Sequence, residues 1–97
     1  MFNDRARQLA GAMNLSPSVL LGRTEKHWLI SQEYRAERGL KDGYVICHNG
    51  QVVGWRRDLD EASGWTPGCY AFDSEGRDWV AVGGTHDDGA ERWERIG

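Results

Sequence analysis

The spacing of apolar positions changes once along this chain, near residue 41, from a helical period to a period of two. Upstream, Ala6, Leu9, Ala10 and Met13 recur every three or four residues, on one face of a helix over residues 4–13 that Asn3 is placed to cap. Asn14-Leu15 breaks the pattern. Ser16 followed by Pro17 then reads as an N-cap with proline at the first helical position, where a missing N–H leaves no intrahelical bond unmade. Val19, Leu20 and Leu21 follow, and Gly22 stands where a C-terminal glycine ends a helix, so residues 17–21 read as a second, short helix. Trp28, Leu29 and Ile30 form an apolar run without a period of its own. Ser31 is placed to cap a third short helix over residues 32–38, closed by Gly39 and Leu40 in a Schellman-type stop.

From Lys41 onward the alternation is that of strands. Residues 44–48 and 51–56 flank Asn49-Gly50, a pair that accepts positive φ at both positions and so signals a tight hairpin. A regular two-residue loop pairs Ile46 with Val53 and Tyr44 with Trp55 on one face, and puts Cys47 and Val52 on the other. Both faces are apolar near the turn, which requires a cover on each. Residues 58–68 form a polar connection carrying Trp65 and a turn at Pro67-Gly68. A second hairpin joins residues 69–73 to 77–82 through Ser74-Glu75-Gly76, with Tyr70 opposite Val80 and Ala71 opposite Trp79. Residues 83–89 read as a flexible acidic loop and residues 90–96 as a final strand rather than a helix. Helices first and strands after give an α+β fold. The expected architecture is an N-terminal helical hairpin plus a third short helix, packed on a four- to five-stranded antiparallel meander, in a single domain over residues 1–97.

Composition sets limits on this picture. With 39% hydrophobic and 28% charged residues, the 97-residue chain has the balance of a folded globular domain, large enough for a core without metals or disulfides. No apolar run approaches the roughly 18 residues needed to span a bilayer. The opening Met1-Phe2-Asn3-Asp4-Arg5 lacks the basic head and apolar stretch of a secretory signal, so a cytoplasmic protein without a membrane role is expected. Cys47 and Cys69 are too few for a disulfide framework and read as small buried thiols on strands. Charge is uneven, net +2 over residues 1–42 and net −5 over residues 43–97. An acidic sheet half speaks against phosphate binding there.

Candidate chemistry is sparse. Residues 6–25 resemble the bacterial helix-turn-helix signature, with Ala10 at the small position of the first helix and Asn14 at the turn usually held by glycine, followed by Leu15, Ser16 and an inward Leu20. The resemblance implies a DNA-binding regulator. A recognition helix presents polar and basic side chains to base edges, whereas Ser16, Pro17, Ser18 and Leu21 ahead of Gly22 leave Arg23 as the one strong reader. An ordinary helical hairpin packed on the sheet accounts for the same residues, so DNA binding is the alternative rather than the expectation. Cys47-His48, Cys69 and His86-Asp87-Asp88 carry ligand-type side chains, but no C-x-x-C or H-x₃-H spacing exists, and strand neighbours point to opposite faces. No metal and no cofactor is expected. Neither a nucleophile elbow nor a phosphate loop nor a dinucleotide fingerprint appears, and His27 beside Trp28 stands alone, so no enzyme is expected.

What remains is compositional. Five tryptophans (Trp28, Trp55, Trp65, Trp79 and Trp93) and ten arginines against Lys26 and Lys41 are many for this length. Trp, Tyr and Arg are the residue types enriched at interface hot spots, although the same rings also fill cores short of leucine and isoleucine. The arginine skew fits a GC-rich bacterial genome. Arg56-Arg57 beside Trp55, Trp65 in the connection, and Arg92 beside Trp93 are the expected binding residues, on a sheet face where at least one of Trp55, Trp65 and Trp93 is exposed. The chain thus reads as a small protein-binding module or inhibitor, of the general character of phage or prophage accessory proteins. Its partner would be another protein, with homodimerisation open.

Overall fold

The computed structural model of the protein describes residues 4–59 and 61–96. The cap assigned to Asn3 lies outside the described residues. Helices α1 (Asp4–Ala12) and α2 (Pro17–Arg38) precede strands β1 (Tyr44–His48), β2 (Gln51–Arg56), β3 (Tyr70–Phe72), β4 (Asp78–Val82) and β5 (Arg92–Arg95). The strands form one antiparallel sheet of order β2-β1-β3-β4-β5. The α+β class is that predicted by the sequence; its detail differs in three places.

The first difference is the length of α2. Helix α1 ends in a Schellman motif, with Asn14 at φ 58 and bonds from Leu15 N–H to the Ala10 carbonyl (2.8 Å) and from Asn14 N–H to that of Gly11 (3.1 Å). Helix α2 starts as predicted, Ser16 Oγ accepting from Val19 N–H (3.3 Å) with Pro17 next. It does not stop at Gly22. It runs on to the cap at Gly39, so the predicted short helices over 17–21 and 32–38 are the two ends of one helix. The remaining short helical piece among the described residues is a 3-10 turn, Ala62–Gly64. The stripe that α2 buries is Leu20, Thr24, His27, Ser31 and Arg35. Its spacing is helical but its chemistry is polar after Leu20. Thr24 Oγ1 donates to the Leu20 carbonyl (2.8 Å) and Ser31 Oγ to that of Trp28 (2.6 Å), so both hydroxyls are satisfied inside the helix. His27 and Arg35 find their partners across the interface. Arg35 sends Nη1 to the Asp42 carbonyl (3.0 Å) and Nη2 to those of Gly43 (2.7 Å) and Phe72 (2.9 Å), tying the helix end to β3. Burial lowers the pKa of this guanidinium, with Asp73 and Asp42 acting against the shift.

The second difference is a β-bulge. Asn49 (φ 51) and Gly50 (φ 82) make the expected turn, with His48 opposite Gln51 and Cys47 opposite Val52. The register then slips. Ile46 faces Gly54, Val45 faces Trp55 and Tyr44 faces Arg56, which leaves Val53 as the extra residue, 45% exposed. Trp55 therefore leaves the Tyr44 face on which a regular register put it and packs against the helix-side core.

The third difference is topological. Strand β3 pairs with β1 (Val45 opposite Phe72, Cys47 opposite Tyr70) rather than with β2, so the sheet is not a meander. The segment from β2 to β3 must cross β1, and it does so on the face away from the helices. Leu59, Ala62 and Trp65 from that crossing pack with Ile46, Cys69, Ala71 and Ala81. Leu9, Leu20, Val45, Phe72, Val80 and Ile96 form the core on the helix side. Both apolar faces are thus covered, one by helices and one by the crossing. The second hairpin has the predicted register, Tyr70 opposite Val80 and Ala71 opposite Trp79, and residues 92–95 are a strand. Residues 83–89 close on themselves through a Thr85–Gly89 bridge, with Asp88 N–H donating to Thr85 Oγ1 (3.0 Å). Among the described residues no helix is long and apolar enough to cross a membrane.

Candidate functional site

The six residues singled out from the sequence do not form one surface. Strands β2 and β5 are opposite edges of the sheet, so Trp55, Arg56 and Arg57 begin far from Arg92 and Trp93 in the strand order. Trp55 lies on the helix side over Gly43, its Nε1–H donating to the Asp42 carbonyl (3.0 Å), and Arg57 lines a groove with it beside Leu40 and Lys41. Arg92 pairs with Glu94 (2.6 Å) and Glu91 (3.3 Å), opposite Val82 on the helix side. Arg56, Trp65 and Trp93 belong to the crossing side. None of Trp55, Trp65 and Trp93 is exposed outright; each is half-buried, which corrects the expected free ring.

The crossing side gains three residues outside the six expected to bind. Trp79 packs with Trp65 and Trp93 on the second core. Tyr44 meets Trp79 with ring centroids 5.3 Å apart, tilted by 56°. The Arg95 guanidinium stands 5.3 Å over the Trp79 ring, and the Arg56 guanidinium 4.9 Å over Trp65. The pairing of Trp79 with Arg95 and of Tyr44 with Arg56 across neighbouring strands follows from period-two geometry, once the bulge and the order of strands are known.

Trp65 is held at three points. Its N–H donates to the Ala62 carbonyl and its own carbonyl accepts from Ala90 N–H, both at 2.9 Å. Its ring covers Gly54, where a Cβ would stand 2.8 Å from Cη2. Only a residue without a side chain leaves room for that ring. Arg56 Nη1 donates to the Trp55 carbonyl (3.0 Å), which fixes the guanidinium over the indole.

The arginines divide into two groups. Arg77 is taken up by Asp73 (2.6 Å) and Glu75 (3.0 Å), and Arg92 by Glu91 and Glu94. Burial pushes the Asp73 carboxyl up, but hydrogen bonds from the Arg77 side chain and from the Arg77 and Glu75 N–H groups outweigh it and hold the carboxyl below its usual range. Arg56 and Arg95 make no ion pair among the described residues, and Arg95 Nε is buried without a hydrogen-bond partner. Two indole-stacked guanidiniums on one sheet face thus keep donors for a carboxylate that none of the described residues supplies.

The remaining candidates take structural places. Burial, then the neighbouring Cys69, pushes the free Cys47 thiol up to about 12, and burial pushes Cys69 up to about 11, so both are protonated and inert at neutral pH. Both nitrogens of buried His27 are engaged, Nδ1 at 2.6 Å from the Arg23 carbonyl and Nε2 accepting from Gly50 N–H (2.9 Å). That pattern fixes the neutral tautomer with its proton on Nδ1. No three His, Cys, Asp or Glu side chains among the described residues come together to hold a metal ion. The helix-turn-helix segment has Asn14 at its left-handed turn, and the early stop at Gly22 that weighed against it does not occur. Its second helix packs on the sheet and exposes Ser18, Val19, Gly22, Arg23, Glu25 and Lys26, a surface of mixed sign. No protein-family model matches the chain, and no curated protein or solved structure is similar to it.

Proposed function

We propose that this protein is a binding module that recognises a carboxylate-bearing segment of another protein through the crossing side of its sheet. Arg56 over Trp65 and Arg95 over Trp79 are the observation that carries the reading: aromatic area with a cationic rim, and no carboxylate from the described residues paired with either guanidinium. Stacking holds each guanidinium in place before binding, so little side-chain entropy is lost when a carboxylate arrives. Half-buried Tyr44, Trp79 and Trp93 supply the apolar centre. Of the six residues expected from the sequence, Arg56, Trp65 and Trp93 remain in this face.

Affinity capture from the native host, with the wild type and an Arg56→Glu/Arg95→Gln variant as paired baits, identifies the partner. Titration of the purified partner then tests the face. The variant should melt within a few degrees of the wild type and bind at least about tenfold more weakly, since a hydrogen bond to a charged group is worth about 1.5–3 kcal/mol. A partner that binds both baits equally tightly refutes the assignment.

A further inference from the structure

A second site lies away from that face. A cleft of about 500 Å³ opens between the α1–α2 turn, the middle of α2, the β1–β2 turn and Pro67-Gly68. Its floor is Tyr70, stacked on His27 with ring centroids 4.8 Å apart; both are buried. His27 is fully used by Arg23 and Gly50, so the groups free to meet a ligand are those of the walls. Met13, Leu15 and Pro67 make an apolar wall. Arg23, Lys26, His48 and Asn49 supply the polar groups.

These polar groups converge from two directions. Arg23 reaches the floor closely enough that its charge opposes the upward push of burial on the Tyr70 hydroxyl. The Lys26 ammonium extends over the hairpin turn, 3.7 Å from where a Cβ on Gly50 would stand. His48 comes from β1 and lies over the other turn, its Cε1 3.7 Å from the corresponding point of Gly68. No carboxylate lines the cleft among the described residues, in a chain of net charge −3. Glu25, which sits between the two cations in sequence, lines a different depression with Trp28 and Asp78. Arg23 and Lys26 make no ion pair among the described residues. Two like charges placed one helical turn apart on a concave wall repel unless an anion lies between them.

We propose that this cleft binds a small organic anion, its phosphate or carboxylate group held by Arg23 and Lys26 and its apolar body against Met13, Leu15 and Pro67. The volume is that of a small-molecule site, and the lining has the usual anatomy of an apolar wall with a few convergent polar groups. Arg offers a fork of donors and Lys a point charge, a pairing suited to either oxyanion.

Phenyl phosphate, benzoate and benzyl alcohol are the probes, each titrated into the full chain and followed by amide NMR shifts and by thermal melts. At least one of the two anions should saturate with a Kd of about 10⁻⁴–10⁻³ M, the range open to a ligand of roughly ten heavy atoms. Its shifts should centre on residues 23–27, 48–50 and 67–70, and its choice between phosphate and carboxylate names the headgroup. Neutral benzyl alcohol should bind at least about tenfold more weakly. Arg23→Gln/Lys26→Gln, both exposed positions, should melt like the wild type and lose about tenfold or more in affinity, while Arg5→Gln/Arg7→Gln on α1 should lose none. The proposal fails if neither anion saturates, if benzyl alcohol binds equally well, if the double variant binds like the wild type, or if the shifts centre instead on Arg56 and Arg95.

Discussion

Replacing Gly54 by alanine tests the seat of Trp65 directly. The new methyl would stand 2.8 Å from Cη2 and 3.3 Å from Cζ3 of the ring, whereas carbon atoms rest at about 3.5–4.0 Å. Something must move by roughly 0.7 Å or more. The backbone of Trp65 is pinned by Ala62 and Ala90, so the ring itself has to tilt. If it tilts in place the cost is that of an overpacked site, about 1 kcal/mol or more. If it leaves the face, a half-buried indole gives up roughly 100 Å² of burial, about 2.5 kcal/mol at 25 cal/mol per Å². The cost therefore lies between about 1 and 3 kcal/mol, a fall in Tm of roughly 5–20 °C for a domain of this size. Arg56 loses its stacking surface at the same time, so binding at the proposed face weakens with stability. Gly22→Ala is the matched control. It adds the same methyl inside α2, where nothing lies within 4 Å, and should raise stability by about 0.5–1 kcal/mol. Near-UV circular dichroism and tryptophan emission through a thermal melt read both variants. A Gly54→Ala protein that melts at or above the wild-type temperature with unchanged emission refutes the placement of Trp65; a destabilised Gly22→Ala refutes the continuity of α2.

Further expectations follow from the hairpin, the thiols and the helix pair. Gly50→Val forces a β-branched residue to φ 82 in the turn, and should cost roughly 1–3 kcal/mol in a urea titration; an unchanged midpoint argues against the turn. Cys47 and Cys69 are held protonated by the fold, their pKa values raised to about 12 and about 11 from an ordinary value near 9. That contribution is complete below pH ~9 and is lost as pH rises toward 11–12, by up to roughly 1 kcal/mol per pH unit per thiol, so the urea midpoint should fall between pH 8 and 10.5 and both thiols should resist Ellman's reagent until unfolding. A flat midpoint, or immediate thiol reaction in the native protein, contradicts their burial. Sequence-specific DNA binding should be absent, with Kd weaker than about 10⁻⁶ M by fluorescence anisotropy at physiological salt, because the exposed start of α2 sets Glu25 between Arg23 and Lys26 in a chain of net charge −3. Sub-micromolar affinity for a defined operator would overturn that expectation.

Local chemistry was readable wherever a turn or cap determined the outcome. Ser16-Pro17, Gly39-Leu40, Asn49-Gly50 and the Ser74-Glu75-Gly76 hairpin act within a few residues, and each is where the pattern put it. The middle of α2 was not readable for a specific reason. Hydrophobic periodicity detects a buried stripe only when the stripe is apolar, and here Thr24, His27, Ser31 and Arg35 carry it. Their burial is possible because every one of them finds a backbone partner: two within the helix, His27 at the Gly50 turn as well, and Arg35 on three carbonyls from the β1 approach and β3. Those partners lie up to 37 residues away, so no window along α2 contains the reason for its own continuation.

The composition of the proposed binding face depends on the same kind of distant cause. A single extra residue, Val53, turns Trp55 toward the helices and Gly54 toward the opposite face. The return of β3 beside β1, rather than beside β2, then carries Leu59, Ala62 and Trp65 across that opposite face, and the glycine is the place where a ring from the crossing comes to rest. Neither step alone suffices. A regular hairpin would pair Trp55 with Tyr44 and leave the crossing no flat seat at Gly54, while a meander would give the segment no β1 to cross. The tryptophan that matters most is therefore Trp65, the one in the connection, and the ring nearest the strongest hairpin signal, Trp55, is drawn away from the face. Arg56 follows the register of β2 and so reaches Trp65 rather than its neighbour in sequence. Arg95 reaches Trp79 by the same logic at the far edge. A tryptophan- and arginine-rich composition does not say which rings and guanidiniums meet; strand order and one bulge select the pairs that compose the proposed face.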